Sequence, residues 1–330
     1  MKRTLVAIIA LCGAAAVQAQ SAQLAQSAHS KGGVASWTTK PAHTWAAATH
    51  MTLLDATRAG KRIVAVGEHG IVLLSDDEGK TYRQALSVPL SATLSAVTFA
   101  DDKHGWVVGQ WGAILATSDG GETWTTQRMD TTVDQPLFSV LFTNDHDGIA
   151  VGLWSLMLQT HDGGKTWTKV TLPKPPDGGK TDRNLYHVFA DRQGTLYISA
   201  EQGIVLKSID GGADWSYLAT GSKGSLWSGV AMPDGRIVVG GLLGSLFQSS
   251  DSGVSWSPLK AETKSSITSL VAAGSVLIAV GLDGLVMQQR ANGAPFEVAQ
   301  RPDRAALTAV VIDAGGKPIL FSNDGALAGP

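Results

Sequence analysis

A short pattern recurs along the chain at near-regular intervals, and this repetition limits the possible folds more than any other feature. Thr117–Trp124 and Thr160–Trp167 both have the form Ser/Thr-x-Asp-x-Gly-x-x-aromatic. Five such boxes occur, and their aspartates lie 41 to 48 residues apart: Asp77, Asp119, Asp162, Asp210 and Asp251. A period of this length predicts a protein built from repeated supersecondary units.

A second landmark occurs seven times and consists of an apolar pair, a small residue, two variable residues and then usually Gly. The variable pairs are Glu68-His69, Gln110-Trp111, Leu153-Trp154, Glu201-Gln202, Leu242-Leu243, Leu282-Asp283 and Asn323-Asp324. Each period also contains four short strand-like segments separated by turn signals. This pattern predicts an all-β fold over residues 36–330, a seven-bladed β-propeller of four-stranded antiparallel blades.

The seventh period stops after three predicted strands, so the ring needs a fourth strand from elsewhere. Ser36–Thr39, which contains Trp37, resembles the outer strand of the second period. We therefore expect the ring to close by pairing of the N- and C-terminal strands, which leaves no open sheet edge.

The first 35 residues have a different composition from the repeats. Lys2 and Arg3 precede an apolar run and small residues near Ala19, which is the layout of a secretory signal peptide cut after Ala19. Cys12 leaves a lipoprotein signal open as an alternative. We expect a flexible lead-in over residues 20–35, no membrane span in the mature chain, and a periplasmic or secreted protein.

Overall composition excludes several classes of protein. The formal net charge is −2, whereas nucleic-acid binding needs an excess of basic residues. A single cysteine rules out an internal disulfide framework and a cysteine-rich zinc site. We expect no cofactor and no metal ion.

The boxes resemble the Asp-box (BNR) repeats of sialidases and related propellers. Each Asp can accept hydrogen bonds from the backbone of its own turn, and the aromatic residue can pack between sheets. The box tryptophans are Trp124, Trp167, Trp215 and Trp256. We interpret the boxes as structural, since one box offers too few oxygen ligands for calcium.

The resemblance to sialidases does not extend to their catalytic residues. Arg62-Ile63 and Arg236-Ile237 are each followed by Val rather than Pro, and both lie in predicted strands. Tyr186 and Tyr197 have no obvious Glu partner in the sequence. A non-enzymatic role is favoured, while a sialidase-like glycan-binding or glycoside hydrolase propeller remains the alternative, because two carboxylates need only meet in space.

A denser match concerns whole repeat units. Gly105–Gly109, Gly112–Leu115 and Thr117–Trp124 together resemble the repeat of the YCF48/HCF136-like family of photosystem II stability and assembly factors. The resemblance implies a seven-bladed propeller that acts as an exported scaffold or assembly factor. It also implies that the partner is a membrane or envelope protein, such as part of a transport system. We expect the protein to be a monomer.

The variable pairs of the second landmark are predicted to crowd one face of the propeller. Trp111 and Trp154 would be neighbours there, either as an exposed aromatic patch or as packing in the central channel. The longest connection, residues 171–184, ends near the same face with Arg183. The predicted binding residues are Trp111, Trp154, Glu68, His69, Arg183, Glu201, Leu243 and Asp283.

Overall fold

The computed structural model describes residues 40–176 and 178–327, which form seven small antiparallel sheets. The strands of blades one to three are β1 (Leu53–Ala59), β2 (Arg62–Gly67), β3 (Val72–Ser75), β4 (Arg83–Gln84), β5 (Leu94–Phe99), β6 (Gly105–Gly109), β7 (Ile114–Thr117), β8 (Thr125–Arg128), β9 (Leu137–Phe142), β10 (Gly148–Gly152), β11 (Met157–Thr160) and β12 (Thr168–Lys169). In each sheet the strands follow one another in chain order.

Blades four to seven continue the same arrangement. Their strands are β13 (Leu185–Ala190), β14 (Leu196–Ala200), β15 (Ile204–Ser208), β16 (Ser216–Ala219), β17 (Leu226–Ala231), β18 (Ile237–Gly241), β19 (Leu246–Ser249), β20 (Ser257–Pro258), β21 (Ile267–Ala273), β22 (Val276–Gly281), β23 (Leu285–Gln289), β24 (Glu297–Gln300), β25 (Leu307–Ile312), β26 (Pro318–Ser322) and β27 (Gly325–Leu327). Short 3₁₀ turns span Ala48–His50, Glu68–Gly70, Gln110–Gly112, Leu153–Ser155, Glu201–Gly203 and Leu242–Gly244.

The first strand of each sheet is its inner strand, and the seven inner strands form a closed ring. Each of β1, β5, β9, β13, β17, β21 and β25 contacts the inner strand of the next blade, and β25 contacts β1. The predicted seven-bladed propeller is therefore confirmed.

Blade seven closes the ring by packing on blade one. Leu53, Ile63, Val311 and Phe321 are buried together in one apolar cluster between the two blades. In addition, Arg58 Nε donates to the carbonyl oxygen of Ile312 at 2.8 Å. Burial of apolar surface between blades is the main source of stability in such a ring.

The predicted fourth strand of blade seven, Ser36–Thr39, lies outside the described residues, as do the signal peptide and the lead-in. Within the described part of the chain, blade seven has three strands. The described residues just after Ser36–Thr39 contact the outer part of blade one. The amide of Ala42 donates to Val88 O at 2.9 Å, and the amide of Trp45 donates to Gln84 Oε1 at 2.6 Å. Strand pairing between the two ends of the chain stays a prediction.

Each of the seven blade interfaces is crossed by a hydrogen bond from a side chain at the second or third residue of an inner strand, which we call the interblade bond. Four side chains accept an N–H of the next inner strand: Asp55 from Val97, Ser139 from Val188, His187 from Gly229, and Ser228 from Leu270. Three hydroxyls donate to a carbonyl of the next inner strand: Ser95 to Leu137, Thr268 to Leu307, and Thr308 to Leu53. Two of the seven, Asp55 and His187, are titratable.

The five boxes form turns on the face opposite the connections between blades, here called the box face. In the second box Asp119 Oδ1 accepts from Thr123 N at 2.9 Å and from Thr117 Oγ1 at 2.8 Å. Thr117 Oγ1 in turn accepts from Gly121 N, and Trp124 Nε1 donates to Gly121 O. Asp77, Asp162, Asp210 and Asp251 accept the corresponding backbone N–H in their own turns.

These bonds favour the charged carboxylate. Hydrogen bonds from the Thr81 hydroxyl and amide lower the pKa of Asp77 to about 2, and those from Thr166 have the same effect on Asp162. A carboxylate held in this way stabilises the fold above its unfolded pKa, and that contribution is lost as the pH falls toward 2.

We expect Asp119→Ala to lower the free energy of unfolding by about 1 kcal/mol, because the substitution removes the acceptor of the Thr123 amide and of the Thr117 hydroxyl. Ser118→Ala is the matched control, since the Ser118 side chain is exposed in the same turn. Urea denaturation of both variants, with and without EDTA, measures the effect. Equal stability of the two variants, or a loss on adding EDTA to the wild type, would contradict a structural, metal-free role.

Candidate functional site: the rim face and the channel mouth

The second landmark forms the turn between the second and third strands of each blade, on the face opposite the boxes; we call this the rim face. The first amide of each turn donates to the carbonyl that precedes the inner strand of its own blade, for example Glu68 N to Thr52 O and Leu242 N to Ser225 O. These bonds hold the turns next to the inner strands. The variable side chains therefore surround the mouth of the central channel.

The second variable residue of six turns has a left-handed backbone. These residues are His69, Trp111, Trp154, Gln202, Leu243 and Asp283, with φ between 52° and 63°. Such a conformation is unfavourable for residues other than Gly, Asn and Asp. The glycine that follows is required by close packing: a Cβ on Gly70 would lie 2.2 Å from Leu90 O.

Side chains at these turns differ sharply in exposure. Trp154 is 53% exposed and Leu243 is 71% exposed. Trp111, predicted to lie beside Trp154 as its neighbour, is half-buried against the apolar cluster between blades one and two. The large exposed apolar side chains of these turns thus lie on blades three and five.

The connection over residues 171–184 is attached to the rim by Ser155, which occupies the place of the usual glycine. Ser155 N donates to Arg183 O at 2.8 Å, and its Oγ donates to Thr181 O at 3.0 Å. Arg183 itself is buried, with Nε donating to Gln202 Oε1 at 3.2 Å and its guanidinium 5.9 Å from the ring centre of Tyr217. Arg183 therefore anchors the connection rather than presenting a charge at the surface.

Glu201 is the centre of a polar network beside Trp154. Its carboxylate accepts from Asn184 Nδ2 at 2.8 Å and from Lys180 Nζ at 2.9 Å. Asn184 Oδ1 accepts from the Trp154 amide at 3.0 Å. The network fixes the backbone of the Trp154 turn and neutralises the charge of Glu201.

The remaining predicted rim residues are half-buried or paired. Glu68 and His69 are half-buried on blade one, where the His69 ring lies 6.1 Å from that of Trp45. Asp283 on blade six accepts from Gln300 Nε2 at 2.7 Å and from Arg304 Nη1 at 3.0 Å. Glu68, His69 and Asp283 therefore do not lie on the blades that carry Trp154, Glu201 and Leu243.

The inner strands that surround the channel share a feature that the repeat analysis did not single out. The second residue of every inner strand is a β-bulge, and these residues are Leu54, Ser95, Phe138, Tyr186, Trp227, Thr268 and Thr308. A bulged residue is unpaired in the strand ladder. At this position the Ser95 and Thr268 hydroxyls lie within hydrogen-bond distance of a carbonyl of their own second strand and of one on the next inner strand.

Apart from Leu54 of blade one, the bulged residues are of two kinds. Ser95, Thr268 and Thr308, on blades two, six and seven, make the hydroxyl interblade bonds. Blades three, four and five carry Phe138, Tyr186 and Trp227, all half-buried. The rings of Phe138 and Tyr186 are stacked, with centroids 5.9 Å apart and planes inclined by 16°. The exposed Trp154 and Leu243 lie on two of the same three blades. Together with Phe138, Tyr186 and Trp227 they form the candidate site, here called the channel mouth.

Two features bear on catalysis and metal binding. Burial raises the pKa of Tyr186, even though Ser225 and Asn184 hydrogen-bond to its side chain, so its hydroxyl is not activated as a nucleophile. Within the residues that the structure describes, no three His, Cys, Asp or Glu side chains converge in a metal-binding arrangement.

None of the described helices is long and apolar enough to cross a membrane.

Comparison with known proteins identifies the family to which this chain is similar. Residues 83–273 match the sequence profile of the family described as photosynthesis system II assembly factor YCF48. The chain is 35% identical over 156 residues to the photosystem II assembly lipoprotein Ycf48 of a Picosynechococcus species, a match that covers 47% of this chain and 44% of that protein. It thus spans less than half the length of that relative.

Solved structures share the fold at low sequence identity. A YCF48 structure with a bound D1 peptide superposes with a TM-score of 0.69 at 16% identity, covering 87% of this chain and 94% of the other. A streptogramin B lyase superposes with a TM-score of 0.70 at 11% identity, covering 86% and 94%. The propeller fold alone therefore does not separate binding proteins from enzymes. The family match extends over more than half of the chain, and the protein belongs to the YCF48 family of photosystem II assembly factors.

Proposed function

We propose that the protein is an exported, non-enzymatic scaffold that holds a membrane or envelope protein during assembly, and that the partner docks on the channel mouth. The observation that carries the proposal is the exposure of Trp154 and Leu243 at the tips of rim turns. Large apolar side chains rarely occupy turn tips at this exposure unless a partner covers them.

Family membership supports the scaffold role. A YCF48 structure with a bound D1 peptide supports a polypeptide partner as well. The arginines of this chain are mostly engaged in ion pairs, as in Arg62 with Asp76, Arg83 with Glu122, and Arg304 with Asp283. We therefore assign the contact to aromatic and apolar side chains rather than to an arginine cluster.

A sialidase-like glycan-binding or glycoside hydrolase activity is the second candidate. Aromatic rings beside a channel suit sugars, and the lyase neighbours share the fold. The raised pKa of Tyr186 and the pairing of Glu201 with Lys180 and Asn184 argue against a tyrosine–glutamate nucleophile of the sialidase type. Binding on a glycan array or turnover of sialosides would favour this candidate.

We expect the double substitution Trp154→Ala and Leu243→Ser to reduce recovery of the partner at least tenfold when the tagged protein is captured from detergent-solubilised envelopes of its host. The matched control is Ile209→Ser with Val254→Ser, because both are about 80% exposed on the box face. Quantitative mass spectrometry of the captured proteins provides the measurement. Equal recovery by the two double variants would place the contact elsewhere.

A further inference from the structure

The turn between β23 and β24 of blade six occupies the position of a box but lacks the polar residues of one. Gln289 replaces the usual Ser or Thr and Ala291 replaces the usual Asp, whereas the glycine is kept as Gly293. A β-turn still forms, because the Ala294 amide donates to Ala291 O at 3.0 Å. Gly293 has a φ of 79°, which glycine adopts without strain.

Loss of the hydroxyl at position 289 leaves the amide of this glycine without an acceptor. In the five boxes the hydroxyl of the first residue accepts from the corresponding glycine amide. The pairs are Gly79 with Ser75, Gly121 with Thr117, Gly164 with Thr160, Gly212 with Ser208 and Gly253 with Ser249. Gly293 N makes no such bond to any described residue, and a Cβ built on Gly293 would meet no atom within 4 Å. The amide therefore lies unbonded in an exposed turn.

The residue before this amide is Asn292, and no other asparagine of the chain precedes a glycine. Asn292 is exposed, and its side-chain amide has no hydrogen-bond partner in the part of the chain that the structure describes. The other three asparagines are restrained, by bonds from His146 N to Asn144 Oδ1, from Trp154 N to Asn184 Oδ1, and from Asp324 N, the amide after Asn323, to Ser322 Oγ. An electrophilic side-chain carbonyl and an unbonded neighbouring amide thus occur together at Asn292.

We infer that Asn292 is a site of spontaneous deamidation, a modification independent of the proposed scaffold function that needs only water. The Gly293 nitrogen attacks Asn292 Cγ and gives up its proton, the side-chain nitrogen leaves as ammonia, and a succinimide ring forms. Water then opens the ring. Cleavage of the bond between Cγ and the Gly293 nitrogen gives an aspartyl residue, whereas cleavage at the main-chain carbonyl gives an isoaspartyl residue.

Either product adds a negative charge to the box face of blade six. The turn already carries the exposed ion pair of Arg290 with Glu297, whose Nε and Oε1 atoms lie 2.7 Å apart. The isoaspartyl product also adds one methylene to the main chain within the turn that the bond from Ala294 N to Ala291 O closes. Since β24 is exposed along its whole length, the modification accumulates on a propeller that stays folded.

Ageing of the purified mature protein at mildly alkaline pH, in water enriched in heavy oxygen, tests the inference by peptide mass spectrometry. We expect the peptide with Asn292 to exchange its amide for an acid that carries one heavy oxygen, and an isoaspartyl methyltransferase to label it. Peptides with Asn144, Asn184 and Asn323 should stay unmodified over the same time. Modification of Asn292 no faster than that of the other three asparagines would overturn the assigned site.

Rebuilding the box tests whether the unbonded amide is the cause. Gln289→Ser with Ala291→Asp restores the acceptor for Gly293 N and leaves Asn292 and Gly293 in place. We expect deamidation to slow about fivefold, the factor that corresponds to one net hydrogen bond. Arg290→Lys is the matched control, because it changes the same turn without adding an acceptor and should keep the wild-type rate.

In concentrated urea the wild type and both variants should be modified at the same rate, which ties the difference to the folded turn. Equal rates for the folded wild type and the folded rebuilt box would overturn the role of the unbonded amide. The comparison of the four asparagines in the wild type decides the site even where the rebuilt box does not fold.

Discussion

Replacing Phe321 by Ala should lower the free energy of unfolding by about 3–5 kcal/mol, the range for large-to-small changes in a packed core. Phe321 is fully buried on β26, where it packs edge-on against Tyr82 at 6.1 Å between blades seven and one. The loss is large because the substitution leaves a cavity at the interface that closes the ring.

Urea denaturation followed by tryptophan fluorescence measures this effect. Val298→Ala on β24 is the control, since Val298 is 44% exposed and should change stability little. Similar losses for the two variants would contradict a ring that is closed by packing of blade seven on blade one.

Two interblade bonds are made by titratable side chains, Asp55 and His187. These side chains should change the free energy of unfolding in opposite directions as the pH changes. Burial lowers the pKa of His187 to about 4. The bond from the Gly229 amide to Nδ1 can form only while that nitrogen is unprotonated. Burial raises the pKa of Asp55 to about 7, against bonds from the Val97 and Ala56 amides. His187 therefore destabilises the fold as the pH falls from about 6.5 toward 4, because the unfolded state then takes up the proton first. Asp55 destabilises the fold as the pH rises from about 4 through 7, because the folded state holds the proton longer.

Serine is the matched replacement at both positions, because Ser139 and Ser228 make the same bond in other blades. Relative to His187→Ser, the wild type should lose about 3 kcal/mol of stability between pH 7 and pH 4. Relative to Asp55→Ser, it should gain about 3 kcal/mol over the same interval. Denaturant titrations at pH 4, 5, 6 and 7 measure both differences, and differences of the same sign for the two variants would contradict the assignment.

The fold was predictable from the sequence because each blade repeats its own turn chemistry. Boxes such as Ser249–Trp256 and turns such as Gly109–Gly112 recur at one period, and that period fixes the number of blades. The family resemblance could be seen in the same residues, since Gly105–Gly109 and the box of blade two lie within the matched region.

The candidate site was only partly predictable. The second landmark located Trp154, Glu201 and Leu243 on one face, but turn position does not determine exposure. Trp111 has the same backbone conformation as Trp154 and is nevertheless half-buried, because an apolar cluster lies beside it. Arg183 is buried because Gln202 and Tyr217 contact its guanidinium.

The bulged residues carried a signal that alignment of the seven inner strands would have revealed. The residue after the first Leu or Ile is Ser or Thr on blades two, six and seven, and is Phe138, Tyr186 or Trp227 on blades three to five. The sequence alone did not indicate the β-bulge at that position, because a bulge is defined by how the inner strand pairs with the second strand.

Site-specific photo-crosslinking in the native host tests the central claim, that the channel mouth is the docking surface. p-Benzoylphenylalanine would replace Trp154 on the rim face in one protein and Ile209 on the box face in another, and cells would be irradiated before extraction of the envelope. The account predicts a cross-link to a membrane or envelope protein from position 154 and none from position 209. A cross-link from position 209 alone would contradict it.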